Sequence, residues 1–314
     1  MELLYNIYIF PGILFVLLWS VFVFWFFRKF LAYIHKRVGP HYNGKAGSLQ
    51  TLYDFSKLLS KESITPHSVN PYLFNTIPIL APTLAITTLV IIPWSPDTTI
   101  IDTKYGVLAL VVLIGIEPFL LFLTGFGSNN KYSFLGGIRV LTQMISMETS
   151  FFLNTLAPAL LFGTMNLTQI SDNSSFVSML ILLPSAILFF ISILGILEQP
   201  PFNIPDAEQE IVYGFYTEYS GTNYFLLKLA EFSEFLVVFA ATIVLFFGGY
   251  HGFFFDSFLC LFLKMLILAL FMLAIRASTP RITLKQMIDF SWRYLVPLSF
   301  LNMVWIIIAK IYIL

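Results

Sequence analysis

Apolar positions along the chain fall into eight runs, separated by stretches that carry nearly all of its charge. The runs are Tyr5–Phe27, Tyr72–Pro93, Tyr105–Thr124, Gly137–Gly163, Phe176–Leu197, Tyr224–Gly248, Phe253–Ile275 and Leu295–Leu314. Each is close to the roughly 20 residues that a helix needs to cross the hydrocarbon core of a bilayer. Lipid offers backbone N–H and C=O groups no partners, so such runs predict helices, not open strands. The pattern predicts an all-α, polytopic membrane protein with about eight transmembrane helices in a single domain, 1–314. The first run is too long for a signal core and lacks a small-residue cleavage site, so it is expected to span. Pro297 suits the first turn of the last helix.

The connections at 28–71, 125–136, 198–223 and 276–294 hold most of the polar sequence. In the first, Leu49, Leu52, Tyr53 and Leu59 fall on one helical face and Gln50, Asp54, Lys57 and Lys61 on another. That pattern predicts an amphipathic helix at the membrane interface. Asp54 and Lys57, three apart, are expected to pair. In the third of these connections, Pro200, Pro201 and Pro205 stop the preceding helix, and Pro205-Asp206 suits the start of a new one.

Basic residues set the orientation. Arg28, Lys29, Lys36, Arg37, Lys45, Lys57 and Lys61 lie in the first connection, Lys131 and Arg139 at the third, and Arg276, Arg281, Lys285 and Arg293 in the seventh. The even connections hold only Lys104. The odd connections are therefore expected to face the cytoplasm or the mitochondrial matrix.

Composition agrees: 58% of the 314 residues are hydrophobic and 11% charged, far more apolar than a soluble core requires. A formal net charge of zero gives no general attraction to nucleic acid. One cysteine, Cys260, excludes a disulfide framework within the chain. His35, His41, His67 and His251 all lie in or near polar connections, which argues against intramembrane haem ligation. The 35 phenylalanines hint at an AT-rich genome such as an organelle's.

The candidate chemistry lies in acids within or beside the apolar runs: Glu117, Glu148, Glu198, Glu231 and Glu234. A carboxylate in hydrocarbon costs several kcal/mol and marks a water path, a partner or a proton relay. Glu148 falls near mid-membrane, and the other four lie in the half nearer the basic loops. Glu231 is expected to pair with Lys228. Glu117, before Pro118, reads as local structure, and Glu234 as facing a neighbouring subunit. Asp206, Glu208, Glu210 and Glu218 cluster on the side that otherwise carries positive charge.

Four ordered motifs carry a resemblance. They are Arg37-Val38-Gly39-Pro40 with Gly47-Ser48-Leu49-Gln50, Asp54 and Lys57; Gly125 to Tyr132 with Arg139, Gln143 and Ser146-Met147-Glu148; Pro201-Phe202 with Asp206 to Glu210 and Glu218-Tyr219-Ser220-Gly221; and Arg276-Ala277, Pro280-Arg281, Trp292 and Pro297. Together they resemble the chain 1 family of NADH:quinone oxidoreductase (complex I) over nearly the whole length. The chain departs from the family pattern at Phe27, usually Glu; Met147, usually Tyr; Gln199, usually Arg; Asn203, usually Asp; and Lys285, usually Asp.

The resemblance implies a membrane-arm subunit that helps form a ubiquinone-access chamber and begins a proton path. NADH, FMN and iron–sulfur clusters would belong to partner subunits of the membrane and peripheral arms. The proton-path set is then Glu148, Glu198, Asp206, Glu208, Glu210, Glu218 and Glu231. The quinone-cavity and arm-interface set is Arg28, Arg37, Asp54, Lys57, Arg139, Gln143, Phe202, Arg276 and Arg281. No metal site or redox centre is expected in this chain, and the expected location is the mitochondrial inner membrane or a bacterial plasma membrane. An autonomous ion transporter and the membrane subunit of a related energy-converting hydrogenase are the competing readings, although no inverted repeat of the transporter kind is apparent.

Overall fold

The computed structural model describes residues 10, 12–96, 99–205, 208–252 and 257–312, with backbone alone at 208 and 209. Asp206 lies outside the described residues, as does the side chain of Glu208. All regular structure among the described residues is helical, and eight helices are long and apolar enough to cross a membrane. These are α1 (Ile13–Ile34), α3 (Pro71–Ile91), α4 (Gly106–Gly127), α5 (Lys131–Phe162), α7 (Phe176–Ile196), α8 (Gly221–Phe246), α9 (Phe258–Ser278) and α10 (Leu284–Tyr312). Two shorter helices, α2 (Gln50–Ser60) and α6 (Leu167–Asp172), lie in connections.

Local chemistry sets the ends. Asn70 and Asn130 cap α3 and α5 by accepting from the N–H two residues on, and Pro71 fills the first position of α3. Ser175 with Ser178, and Thr283 with Gln286, form reciprocal caps at α7 and α10. Gly163, at φ +71°, closes α5 in the left-handed region.

Three boundaries depart from the apolar pattern. Helix α1 runs to Ile34, two turns past the expected end. Helix α5 begins at Lys131, where Asn130 caps it, and Ser133 in its first turn donates to the Phe215 carbonyl. Helix α10 begins at Leu284, so Pro297 lies inside it. A wide π-helical turn, Ser291–Leu295, immediately precedes that proline and relieves the clash its ring would cause in a regular helix.

Helix α8 is the axis of the bundle. Nearly every residue from Leu229 to Phe246 is buried, as expected of a helix that is apolar all round. It packs against α1, α2, α3, α7 and α9. The basic connections gather at one end: Asn70 donates to Gly127, Asn129 to Ser68, and Ile282 to Pro201. At the opposite end Lys264 donates to the carbonyls of Phe247, Gly249 and His251, and Lys310 to that of Leu160.

Candidate functional site

Helix α2 forms as its amphipathic pattern requires, and its position builds the site. Phe55 packs inward on Phe24 of α1 and Phe225 of α8, at ring-centroid distances of 6.2 and 5.2 Å. Leu52, Tyr53 and Leu59 stay exposed on the other side. Between α2, α1, α4, α8 and the 198–220 connection lies a cavity of about 620 Å³, within the range of small-molecule sites.

Five acids and five bases line it: Asp54, Glu117, Glu198, Glu231 and Glu234, against Arg28, Lys57, Lys61, Lys228 and Arg276. They are not mixed evenly. The half-exposed Arg28 and Asp54 pair at 2.6 Å, with Lys57 and Lys61 following Asp54 along α2 and its end. The expected Asp54–Lys57 pair is therefore replaced by one that ties α2 to α1. Arg276, from α9, donates to Gln199 at 2.7 Å.

Glu117 and Glu234 are 4% and 5% exposed. They come from α4 and α8, and their carboxyls are within hydrogen-bond reach of each other. Oε1 of Glu234 is buried and finds no donor among the described residues. Glu231, one turn before Glu234, pairs with Lys228 at 2.7 Å as its spacing predicts. The Lys228 ammonium lies 4.1 Å from the Tyr216 ring centroid, with Tyr213 and Tyr224 at 6.0 and 5.9 Å. Glu198, at φ +51°, holds a left-handed conformation uncommon for a side chain of its size, where the chain turns out of α7.

Of the residues anticipated from sequence, Arg28, Asp54, Lys57, Glu198, Glu231 and Arg276 converge on this cavity. Glu148 does not line it. It sits near the middle of α5, against Gly115 of α4, in a void of about 10 Å³ shared with Ile114, Pro118 and Ile196. A Cβ at Gly115 would collide with the Glu148 carboxyl, so glycine is what lets that carboxyl reach α4. Pro118 has no N–H to offer the Ile114 carbonyl, which opens the helix ladder between Glu148 and Glu117.

Glu210 and Glu218 also lie off the cavity wall. Glu210 pairs with Arg139 at 2.6 Å and Arg281 at 3.5 Å, and Asn130 donates to Glu218. The Arg139 hydrogen bond, with the nearby Arg281 charge, holds the Glu210 carboxyl below its ordinary range despite some desolvation. Gln143 donates to the Gly195 carbonyl at 2.7 Å and so ties α5 to the end of α7, from which the connection starts, and Phe202 is buried against Phe290, which ties the connection to α10. Arg37 lies on the other side of α1 from the cavity. Three departures from the expected motif, Phe27, Gln199 and Asn203, line the cavity. Glu117 and Glu234, which the sequence reads as local structure and as facing a neighbouring subunit, line the cavity, and the three tyrosines are lining groups that sequence reasoning did not single out. The three-residue spacing of Glu231 and Glu234 was the available signal. Among the described residues no cluster of histidine, cysteine and acids could hold a metal ion.

Comparisons with known proteins give a consistent result. The family described as NADH dehydrogenase matches residues 7–307. An NADH-quinone oxidoreductase subunit of Carboxydothermus hydrogenoformans is 34% identical over 293 residues, 92% of this chain and 84% of that protein. The like-named subunit of Pelagibacter ubique is 34% identical over 298 residues, 92% of this chain and 88% of its own length. Another, from Geobacter sulfurreducens, is 35% identical over 285 residues, covering 88% of this chain and 87% of its own. With eight membrane-type helices, the four motifs in order and a match over nearly the full length, the chain belongs to the NADH dehydrogenase family.

Proposed function

We propose that this chain is the membrane subunit of an NADH–quinone oxidoreductase that shapes the quinone chamber and begins the proton path. The observation that carries this reading is the convergence of Glu117, Glu198, Glu231 and Glu234 on one cavity with a basic rim. Residues far apart in sequence bring acids to one wall, where a water path or relay justifies their burial.

Reduction of a quinone to quinol takes two electrons and two protons. In this reading the electrons arrive from partner subunits that hold NADH, FMN and iron–sulfur clusters. Ubiquinone enters between α1, α2 and α8. The rim cations Arg28, Lys57 and Arg276 favour developing negative charge on the reduced ring. The Glu117–Glu234 pair holds a proton at the deep wall, and Glu148 continues the path across the opened ladder at Pro118. Glu210 and Glu218 hold the 198–220 connection beside the chamber, and the acids of that connection, Asp206 and Glu208 included, belong to the set that responds to the chamber's charge. Gln143 and Phe202 position that connection, and Arg139 and Arg281 fasten it. The basic end faces the cytoplasm or the matrix. The membrane is the mitochondrial inner membrane, which the phenylalanine-rich composition favours, or a bacterial plasma membrane.

The test is native purification through this chain in mild detergent, followed by assay of inhibitor-sensitive NADH:quinone reduction. Activity in a large assembly containing flavin and iron–sulfur clusters is expected. A small oligomer without redox centres that moves ions in vesicles would replace this reading with the transporter. An assembly containing nickel would replace it with the hydrogenase.

A further inference from the structure

Helix α1 has two opposed working faces. Phe24, Phe27, Arg28 and Leu31 line the chamber. Trp25, Phe26, Lys29, Phe30 and Tyr33, with Arg37 just past the helix end, line a separate groove of about 440 Å³, and helical periodicity puts the five helical residues on the other side of α1. Phe22, Phe26 and Phe30 stack in sequence at 5.8 and 5.9 Å, nearly parallel at 19° and 14°. They form a smooth aromatic strip about 12 Å long at 1.5 Å per residue. Lys29 and Arg37 stand at the basic end of this strip. Lys29 donates to the Pro40 carbonyl, and neither cation has a carboxylate within ion-pair distance among the described residues. No acid lines the groove among the described residues.

We propose that this groove binds one anionic phospholipid, its phosphate on Lys29 and Arg37 and an acyl chain along the Phe22–Phe26–Phe30 strip. The choice rests on charge complementarity and depth. The two cations lack counter-ions among the described residues, and they stand where a membrane helix ends. Trp25 and Tyr33 flank them, as aromatic residues do at headgroup level. An apolar helix from a neighbouring subunit would leave both charges unneutralised. A bound lipid would brace the back of the helix whose front forms the chamber wall.

The test uses the intact assembly purified through this chain and a photoreactive phosphatidylglycerol, with photoreactive phosphatidylcholine as the comparison. Wild-type protein is expected to cross-link phosphatidylglycerol on α1 in preference to phosphatidylcholine. Arg37→Gln should weaken that labelling about fivefold, as expected for one interfacial cation, and Arg37→Lys should restore most of it. Arg37 is the chosen position because its side chain is exposed, whereas Lys29 also holds the Pro40 loop. As a second measurement, a photo-cross-linking residue at Tyr33 should capture lipid. Equal labelling by both lipids, labelling unchanged in Arg37→Gln, or capture of a protein neighbour from Tyr33 would each overturn the proposal. Quinone reduction by the wild type bears on the chamber and not on this groove, so the two readings fail separately.

Discussion

Two sets of acids occupy the basic end of this bundle under opposite conditions. Glu210 is half-exposed and held between two arginines, and Glu218 accepts from Asn130. Glu117 and Glu234 are buried against each other, with no arginine or lysine as their paired partner among the described ion pairs. The first set is close in sequence and fastens a connection. The second is drawn from α4 and α8 and faces a cavity. Density of acids in the sequence thus marks a structural fastening, whereas the buried carboxyls come from two apolar helices far apart in the sequence.

The largest effect that would sharpen this contrast is expected at the buried pair. Glu117→Gln or Glu234→Gln should reduce quinone-linked proton uptake by about tenfold or more, as loss of a positioned proton carrier does, while the assembly stays intact on a native gel. Next comes the junction between the two regions. A Cβ at Gly136 would sit 2.6 Å from the Phe215 backbone nitrogen, with Gly214 backbone also inside contact distance. Gly136→Ala should therefore destabilise the protein by about 1–3 kcal/mol, read as a lower midpoint of thermal unfolding. At the cavity mouth, Arg28→Ala removes the tie to Asp54 and should raise the KM for quinone about fivefold, the equivalent of about 1 kcal/mol, with little change in kcat.

The smallest effect is expected at the loop. Glu210→Gln should cost only about 0.2–1 kcal/mol, because the pair is half-exposed and screened by water. Its pH dependence follows from the depressed carboxyl. The ion pair contributes in full above the ordinary carboxylate value of 4.5 and is lost as pH falls through the lower folded-state value. Wild type and variant should therefore differ at neutral pH and converge in acid, which an unfolding series against pH would show.

The helices were legible where the ends of the apolar runs coincide with local caps, as at Asn70 before α3 and Ser175 before α7. Hydropathy missed the first six residues of α5 because Lys131, Ser133 and Gly136 interrupt the apolar run there, and of the six only Ser133 and Gly136 are buried, against the Gly214–Tyr216 turn. It missed the start of α10 because a π turn carries the helix smoothly into Pro297. The amphipathic α2 was readable, but not the partner of Asp54, which lies 26 residues away on α1.

The site was half legible for a related reason. Periodicity fixes the rotation of an amphipathic helix, but α4 and α8 are apolar on nearly every side. Nothing in the sequence shows which way Glu117 or Glu234 turns. Packing decides it, and packing also places Glu148 one helix away from the cavity and Arg37, past the end of α1, on a separate groove.

The most direct test sets one member of each acid set side by side. Glu234→Gln and Glu210→Gln assemblies, matched for flavin content, would be compared in proteoliposomes for NADH-driven proton uptake per quinone reduced. The expected result is a loss of about tenfold or more in Glu234→Gln and less than about twofold in Glu210→Gln. Equal losses, or the larger loss in Glu210→Gln, would contradict the assignment of proton chemistry to the buried cavity wall.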